Sequence, residues 1–128
     1  MTVVTIFVSN MDRAVRFYTE VLKMKLEYRF GDEWASLKTE DGVSVGLHPA
    51  SKDSPAGRKG SITIGFEVSG PIEKAVAAMQ EKGVKFVSPV VDDKQIKAAH
   101  FEDPDGNEMY VVEVQQQWKE YDQTKAAT

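Results

Sequence analysis

The sequence predicts an α+β domain made of two modules, each a strand, a helix and three further strands. Three observations carry that prediction. The first is size. A chain of 128 residues with 41% hydrophobic content is one ordinary domain, able to bury roughly two thirds of its unfolded surface. The second is an internal repeat at an offset of about 60 residues. Val8-Ser9-Asn10 leads into Ala14-Val15, and Val68-Ser69-Gly70 leads into Ala75-Val76. Asp41-Gly42 opens one late strand, and Asp105-Gly106 opens another at nearly the same offset. The third is periodicity: in each half one apolar stripe at helical spacing lies between short, strand-like runs.

The elements follow in order. Thr2 to Val8 is β-branched and aromatic, as a strand requires. Asn10 is an N-cap whose side-chain oxygen can accept from the free amides of the next turn, and Asp12 suits the positive end of the helix dipole. Met11, Ala14, Val15, Tyr18, Val21 and Leu22 then form the apolar stripe of one helix. Leu26 to Phe30, Trp34 to Lys38 and Val43 to His48 are strands, separated by turns at Gly31-Asp32 and Asp41-Gly42. Residues 51–60 are rich in turn formers and charge and read as a linker, which places module 1 at about 2–50 and module 2 at about 61–114. In the second half Ser61 to Val68 is the strand, and Pro71 is placed at the first helical position. Ile72, Ala75, Val76 and Met79 make the stripe, and Gly83 stands just past the helix end. Val84 to Val87, Ile96 to Glu102 and Glu108 to Val114 complete the set. The tail at 115–128 is polar; Trp118 and Tyr121 in it fit either a last packed turn or a loose end.

Composition excludes several functions. The chain has no cysteine, so disulfide scaffolds, iron–sulfur clusters and thiol nucleophiles are out. A formal net charge of −4 and no basic stripe argue against nucleic acid. No apolar run approaches the roughly 20 residues that span a bilayer, and the start of the chain lacks a signal-peptide pattern, so a soluble cytoplasmic protein is expected. No phosphate-cradling glycine loop, nucleophile elbow or zinc-protease helix is present.

Phe7-Val8-Ser9-Asn10-Met11-Asp12-Arg13-Ala14-Val15-Arg16-Phe17-Tyr18 resembles the first motif of the vicinal oxygen chelate superfamily, the glyoxalase/bleomycin-resistance/extradiol-dioxygenase group. Gly65-Phe66-Glu67-Val68 and the turn Phe101-Glu102-Asp103-Pro104-Asp105-Gly106-Asn107 extend the resemblance. It implies two βαβββ modules whose curved mixed sheets form a cup, with helices on the convex side, and a homodimer. Lys23 departs from the pattern, because relatives carry glycine at that helix end. A lysine there must either adopt a left-handed conformation or end the helix differently.

Strand parity assigns faces. Val4, Ile6 and Val8 suit the helix-packed side, leaving Val3, Thr5 and Phe7 on the other. The same alternation puts Ser44, Gly46 and His48, Thr63, Gly65 and Glu67, His100, and Glu108 and Tyr110 on the concave side, with Trp34 joining from the third strand. Candidate ligand-binding residues are therefore Tyr110, His100, His48, Trp34, Thr5, Phe7, Thr63, Glu67 and Glu108. Each also has a plain structural reading: a rim histidine beside Pro49, a strand histidine at His100, a core tyrosine at Tyr110, solvated glutamates. In metal-binding relatives the resemblance places ligands at positions matching Val3, Gly46, Thr63 and Tyr110. None of these is an imidazole or carboxylate, the usual donors of an open catalytic site. The expectation is a protein with no metal and no cofactor that binds a small organic molecule, in the manner of relatives that sequester a drug or metabolite. The alternatives are a glyoxalase- or dioxygenase-type enzyme with a shifted metal set including His48 or His100, and a dimerisation module with a closed cup. The Asp103–Asn107 turn is read as structural, not catalytic.

Overall fold

In a computed structural model of the chain, residues 2–57, 63–93 and 96–114 are described. The chain divides into two compact units: Met1–Ile62 with Glu102–Glu108, and Thr63–Phe101 with Met109–Thr128. The reading of Trp118 and Tyr121 falls outside the described residues.

The first unit runs β1 (Val3–Val8), α1 (Met11–Arg16), a wide turn (Phe17–Val21), β2 (Lys25–Phe30), β3 (Trp34–Lys38) and β4 (Ser44–Pro49). Its sheet has the order β1-β4-β3-β2, with β1 parallel to β4 and the other pairs antiparallel. Burial alternates along β1, whereas on β3 and β4 Ser36, Ser44 and Gly46 on the opposite face are buried as well. Ile6 and Val8, Ala35 and Leu37, and Val45 and Leu47 are buried under the helix, whose Met11, Ala14, Val15 and Tyr18 are buried in turn.

Asn10 caps α1: its side chain accepts from the Arg13 amide at 3.0 Å. The helix does not run unbroken to Leu22 as its stripe implies. It widens after Arg16, and the Leu22 amide reaches back five residues to the Phe17 carbonyl at 3.2 Å. The Thr19 hydroxyl donates to the Val15 carbonyl at 2.7 Å, in competition with the amide that would close an α-turn there. Lys23 then adopts a φ of 60°, so this lysine takes the left-handed conformation that glycine would supply freely.

The second unit runs β5 (Ile64–Glu67), α2 (Ile72–Glu81), β6 (Lys85–Phe86), β7 (Val91–Asp92), β8 (Ile96–Glu102) and β9 (Glu108–Val114). Its sheet has the order β5-β9-β8-β6, with β5 parallel to β9 and β7 antiparallel to β8. Ala99, Phe101, Met109 and Val111 are buried with Ile72. Two details differ from the sequence reading. Pro71 is the N-cap, one position before the helix, and the Ile72 amide donates to Glu113 Oε1 at 2.9 Å. The strand expected at Val84 to Val87 shrinks to Lys85–Phe86, and β7 appears after Pro89. Proline lacks the amide that would extend the ladder. At the other end, α2 closes as a Schellman motif: Gly83 (φ 86°) donates to Gln80 and Val84 donates to Met79.

Candidate functional site

The aspartates between β8 and β9 are structural, as the turn pattern implies. Asp103 is buried. Its carboxylate accepts from the Tyr18 hydroxyl at 2.8 Å, from the amides of Asp105 (3.0 Å) and Asn107 (2.7 Å), and from Asn107 Nδ2 (2.8 Å). Asp105 accepts from the Ser9 amide at 3.2 Å, from the Ser9 hydroxyl, and from Arg13 Nη2 at 3.1 Å. These bonds hold the turn at 102–108 to the end of β1 and to α1 within the first unit. Burial pushes the Tyr18 phenol well above its ordinary value of 10.0, and the adjacent Asp103 charge and hydrogen bond push it further. Tyr18 was legible as core; its buried polar tie was not, because the partner lies on a distant turn.

The open face of the first sheet carries a row of rings. Phe7 pairs with His48 across β1 and β4, and their rings are 5.7 Å apart at 69°. Trp34 lies 6.3 Å from His48, also at 69°. Phe30 pairs with Trp34 across β2 and β3, and paired residues share a face. Thus Phe7, His48, Trp34 and Phe30 follow one another across β1-β4-β3-β2. Phe30 is 65% exposed, and Tyr28, 5.4 Å from it ring to ring, is 49% exposed. These two aromatics were missed from sequence. A register shift between Leu26 and Tyr28 turns the end of β2 over, so simple alternation from Leu26 misplaces them. Their pairing with Trp34 and Ser36 across the Gly31-Asp32 turn was the available signal. Thr5 sits one row away, exposed, opposite Gly46.

Trp34 is seated on a glycine. A Cβ built at Gly46 would overlap the Trp34 ring, so the indole lies directly against the β4 backbone. The second sheet repeats the device. A Cβ at Gly65 would overlap the Tyr110 ring, which crosses from β9 onto β5. His100 on β8 stacks beside Tyr110, with ring centroids 5.5 Å apart and planes tilted by 37°. The His100 amide donates toward Ser88 Oγ at 3.0 Å. Thr63, just before β5, and Glu67, at its end, are exposed, and Glu108 is half-buried at the start of β9. So Trp34, His48 and Phe7 come together on one sheet, and Tyr110 and His100 on the other.

The donor chemistry of each sheet can be tested against a divalent ion. At the positions where metal-binding relatives carry ligands, Val3 and Gly46 have no donor atom, and the space a side chain would need at Gly46 holds the Trp34 ring. Thr63 offers only a hydroxyl, and the Tyr110 phenol lies against Gly65. Among the described residues no three His, Asp or Glu side chains cluster in a way that could hold an ion. The residues present do not fit the family's metal.

Comparison with known proteins places this geometry. The chain resembles the crystal structure of TnmS3, an antibiotic binding protein from Streptomyces sp. CB03234, with 23% identity, a TM-score of 0.73 and coverage of 88% of this chain and 93% of that one. It also resembles an integron cassette protein from the mobile metagenome of the Halifax Harbour sewage outfall (23% identity, TM-score 0.72, 89% and 97% coverage). A third likeness is to the fosfomycin resistance protein FosX from Mesorhizobium loti (13% identity, TM-score 0.71, 93% and 95% coverage). At these identities the likeness establishes the fold. No curated protein matches the sequence. No helix among the described residues is long and apolar enough to cross a membrane. The family model described as Glyoxalase/Bleomycin resistance protein/Dioxygenase superfamily matches residues 1–111, and the chain belongs to that superfamily.

Proposed function

We propose that this protein binds a small organic molecule without a metal, holding it against the aromatic face of one of its sheets. The observation that carries the reading is the seating of Trp34 on Gly46 and of Tyr110 on Gly65. A ring pressed onto strand backbone has no side chain beneath it and keeps its outer face for a partner. Both rings are half-buried rather than sealed in the core. Such a surface favours stacking and apolar contact, with a few polar groups fixing orientation. His48, His100, Thr5, Thr63, Glu67 and Glu108 are among the polar groups on these faces, and the glutamates suit a basic ligand. The antibiotic-binding description of TnmS3, a protein of the same fold, supports sequestration over turnover. The poor fit of the donor set supports metal independence. A cytoplasmic homodimer, single-domain in each copy, is part of the same proposal.

The test is a thermal-shift screen of the full chain against planar organic compounds and against nickel, zinc, manganese and iron salts. Binding to the native state alone raises the apparent melting temperature. An organic hit whose shift is lost in Trp34→Ala is the expected result. Stoichiometric metal in the purified protein, or shifts from the ions alone, would overturn it.

A further inference from the structure

His48 carries more information than its place in the ring row. Its Nδ1 lies 2.8 Å from the Pro49 carbonyl oxygen. A carbonyl can only accept, so Nδ1 must carry the proton. In the neutral ring Nε2 is then left with a lone pair and no hydrogen. Pro49 thus fixes the tautomer through the backbone. The ring is exposed and stands edge-on to both Phe7 and Trp34, at 69° to each. The row Phe7, His48, Trp34, Phe30 spans all four strands of the sheet, about 14 Å at the usual strand spacing. It is a long aromatic strip, without a charged side chain in the row itself, and with one oriented acceptor inside it. The only charged side chain that parity places on the same face of β3 is Lys38, at the far end of that strand, where it pairs with Glu27 at 3.5 Å.

We infer that His48 is a specificity-determining contact, accepting at Nε2 a hydrogen bond from a hydroxyl or N–H on the edge of a planar, multi-ring ligand stacked along Phe7, Trp34 and Phe30. The inference rests on the ligand-binding reading above and names the ligand's chemistry: extended, flat, uncharged, with a donor at its rim. An edge that offers only an ether oxygen meets a lone pair with a lone pair and is disfavoured.

The experiment uses 1-hydroxypyrene and 1-methoxypyrene, which share the ring system and differ in the donor. Their fluorescence is titrated with the full chain. The hydroxyl compound should bind about five- to tenfold tighter, the worth of one net hydrogen bond. His48→Phe keeps a ring but removes the acceptor, so the ratio of the two affinities should fall to about one. His48→Gln, with an acceptor oxygen at similar reach, should restore part of the preference. Equal binding of the two compounds to the unaltered protein, or a preference that survives in His48→Phe, overturns the inference and leaves the ligand-binding reading standing. If Trp34→Ala leaves both affinities unchanged, that reading fails as well. If neither probe binds and Phe30→Asp lowers the sedimentation coefficient, a second copy covers the row and the inference is overturned.

Discussion

Each sheet seats an aromatic ring on a glycine, by opposite arrangements of the paired row. By the internal repeat Thr5 corresponds to Gly65, and Gly46 to Tyr110. In the first sheet Thr5 pairs with Gly46; in the second Gly65 pairs with Tyr110. Glycine has moved from the late strand to the early one, and the covering ring has moved with it. Trp34 reaches Gly46 from β3, whereas Tyr110 covers Gly65 from its own row. A row that can hold donor atoms in a metal-binding relative is used here, in both units, to seat a ring. The helices show the same contrast of means. α1 is tied down by a buried side-chain pair, Tyr18 and Asp103, while α2 is held at its start by a single amide bond to Glu113 and finished by local backbone bonds around Gly83.

The largest test of that contrast is Asp103→Ala. It strips the acceptor from the buried Tyr18 hydroxyl and from the amides of Asp105 and Asn107. Leaving buried donors unpaired should lower unfolding free energy by about 3 kcal/mol or more in urea titration. The counterpart in the second unit is Glu113→Ala, which removes the acceptor from the Ile72 amide and should cost about 1 kcal/mol, the scale of a helix cap. Equal costs would erase the distinction between a helix held by a buried polar network and one held at a single amide.

Tyr18 adds a pH signature. Its folded value lies above the unfolded 10.0, first because it is buried and then because of Asp103. The folded state therefore holds this proton longer than the unfolded state. Its contribution is fully present below pH 10 and is lost as pH rises above 10 toward the folded value. Tyr18→Phe should flatten that alkaline loss relative to the parent chain in urea midpoints measured at successive pH values. A parallel decline in both proteins would show that Tyr18 is not the group responsible.

The paired substitutions Gly46→Ala and Gly65→Ala compare the two seats directly. Each new methyl displaces the far end of an aromatic side chain, a repacking that costs about 1–3 kcal/mol. Gly46 is buried on an inner strand and Gly65 is exposed on an edge strand. Trp34 has less room to yield, so Gly46→Ala should be the costlier by about 1 kcal/mol in thermal or urea melts. If the first sheet carries the ligand, Gly46→Ala should also weaken binding at least tenfold in the fluorescence titration while Gly65→Ala leaves it nearly unchanged. The reverse order would move the site to Tyr110 and His100.

Much of this was legible in the sequence for identifiable reasons. Period-2 burial at Ile6 and Val8, and at Met109 and Val111, follows from alternating hydrophobicity, which one chain displays openly. The caps at Asn10 and Gly83 are local chemistry. The candidate rings at Trp34 and Tyr110 came from parity, but their glycine seats did not, since a ring's neighbour across a sheet depends on register. Phe30 and Tyr28 were hidden by a register shift that no composition announces. Tyr18 and Asp103 are partners 85 residues apart, beyond any local pattern.

Lys23 offers the smallest and most local test. At φ 60° a lysine crowds its Cβ against its own backbone, a strain of about 1 kcal/mol that glycine does not carry. Gly83, at the end of α2, adopts a φ of 86° with open space around it. If the two helix ends differ only in how they are finished, Lys23→Gly should raise stability by about 0.5–1 kcal/mol, after part of the gain is offset by the greater freedom of glycine in the unfolded chain. Gly83→Ala should lower it by about 1 kcal/mol. Lys23 is exposed, so no lost packing confuses the first measurement. A stabilised Lys23→Gly protein means that the wide turn at Phe17–Val21 tolerates a strained residue because Tyr18 and Asp103 hold the helix in place. A destabilised one means that lysine is favoured at this position, and the contrast between the two helix ends then lies in the side chain and not in the backbone.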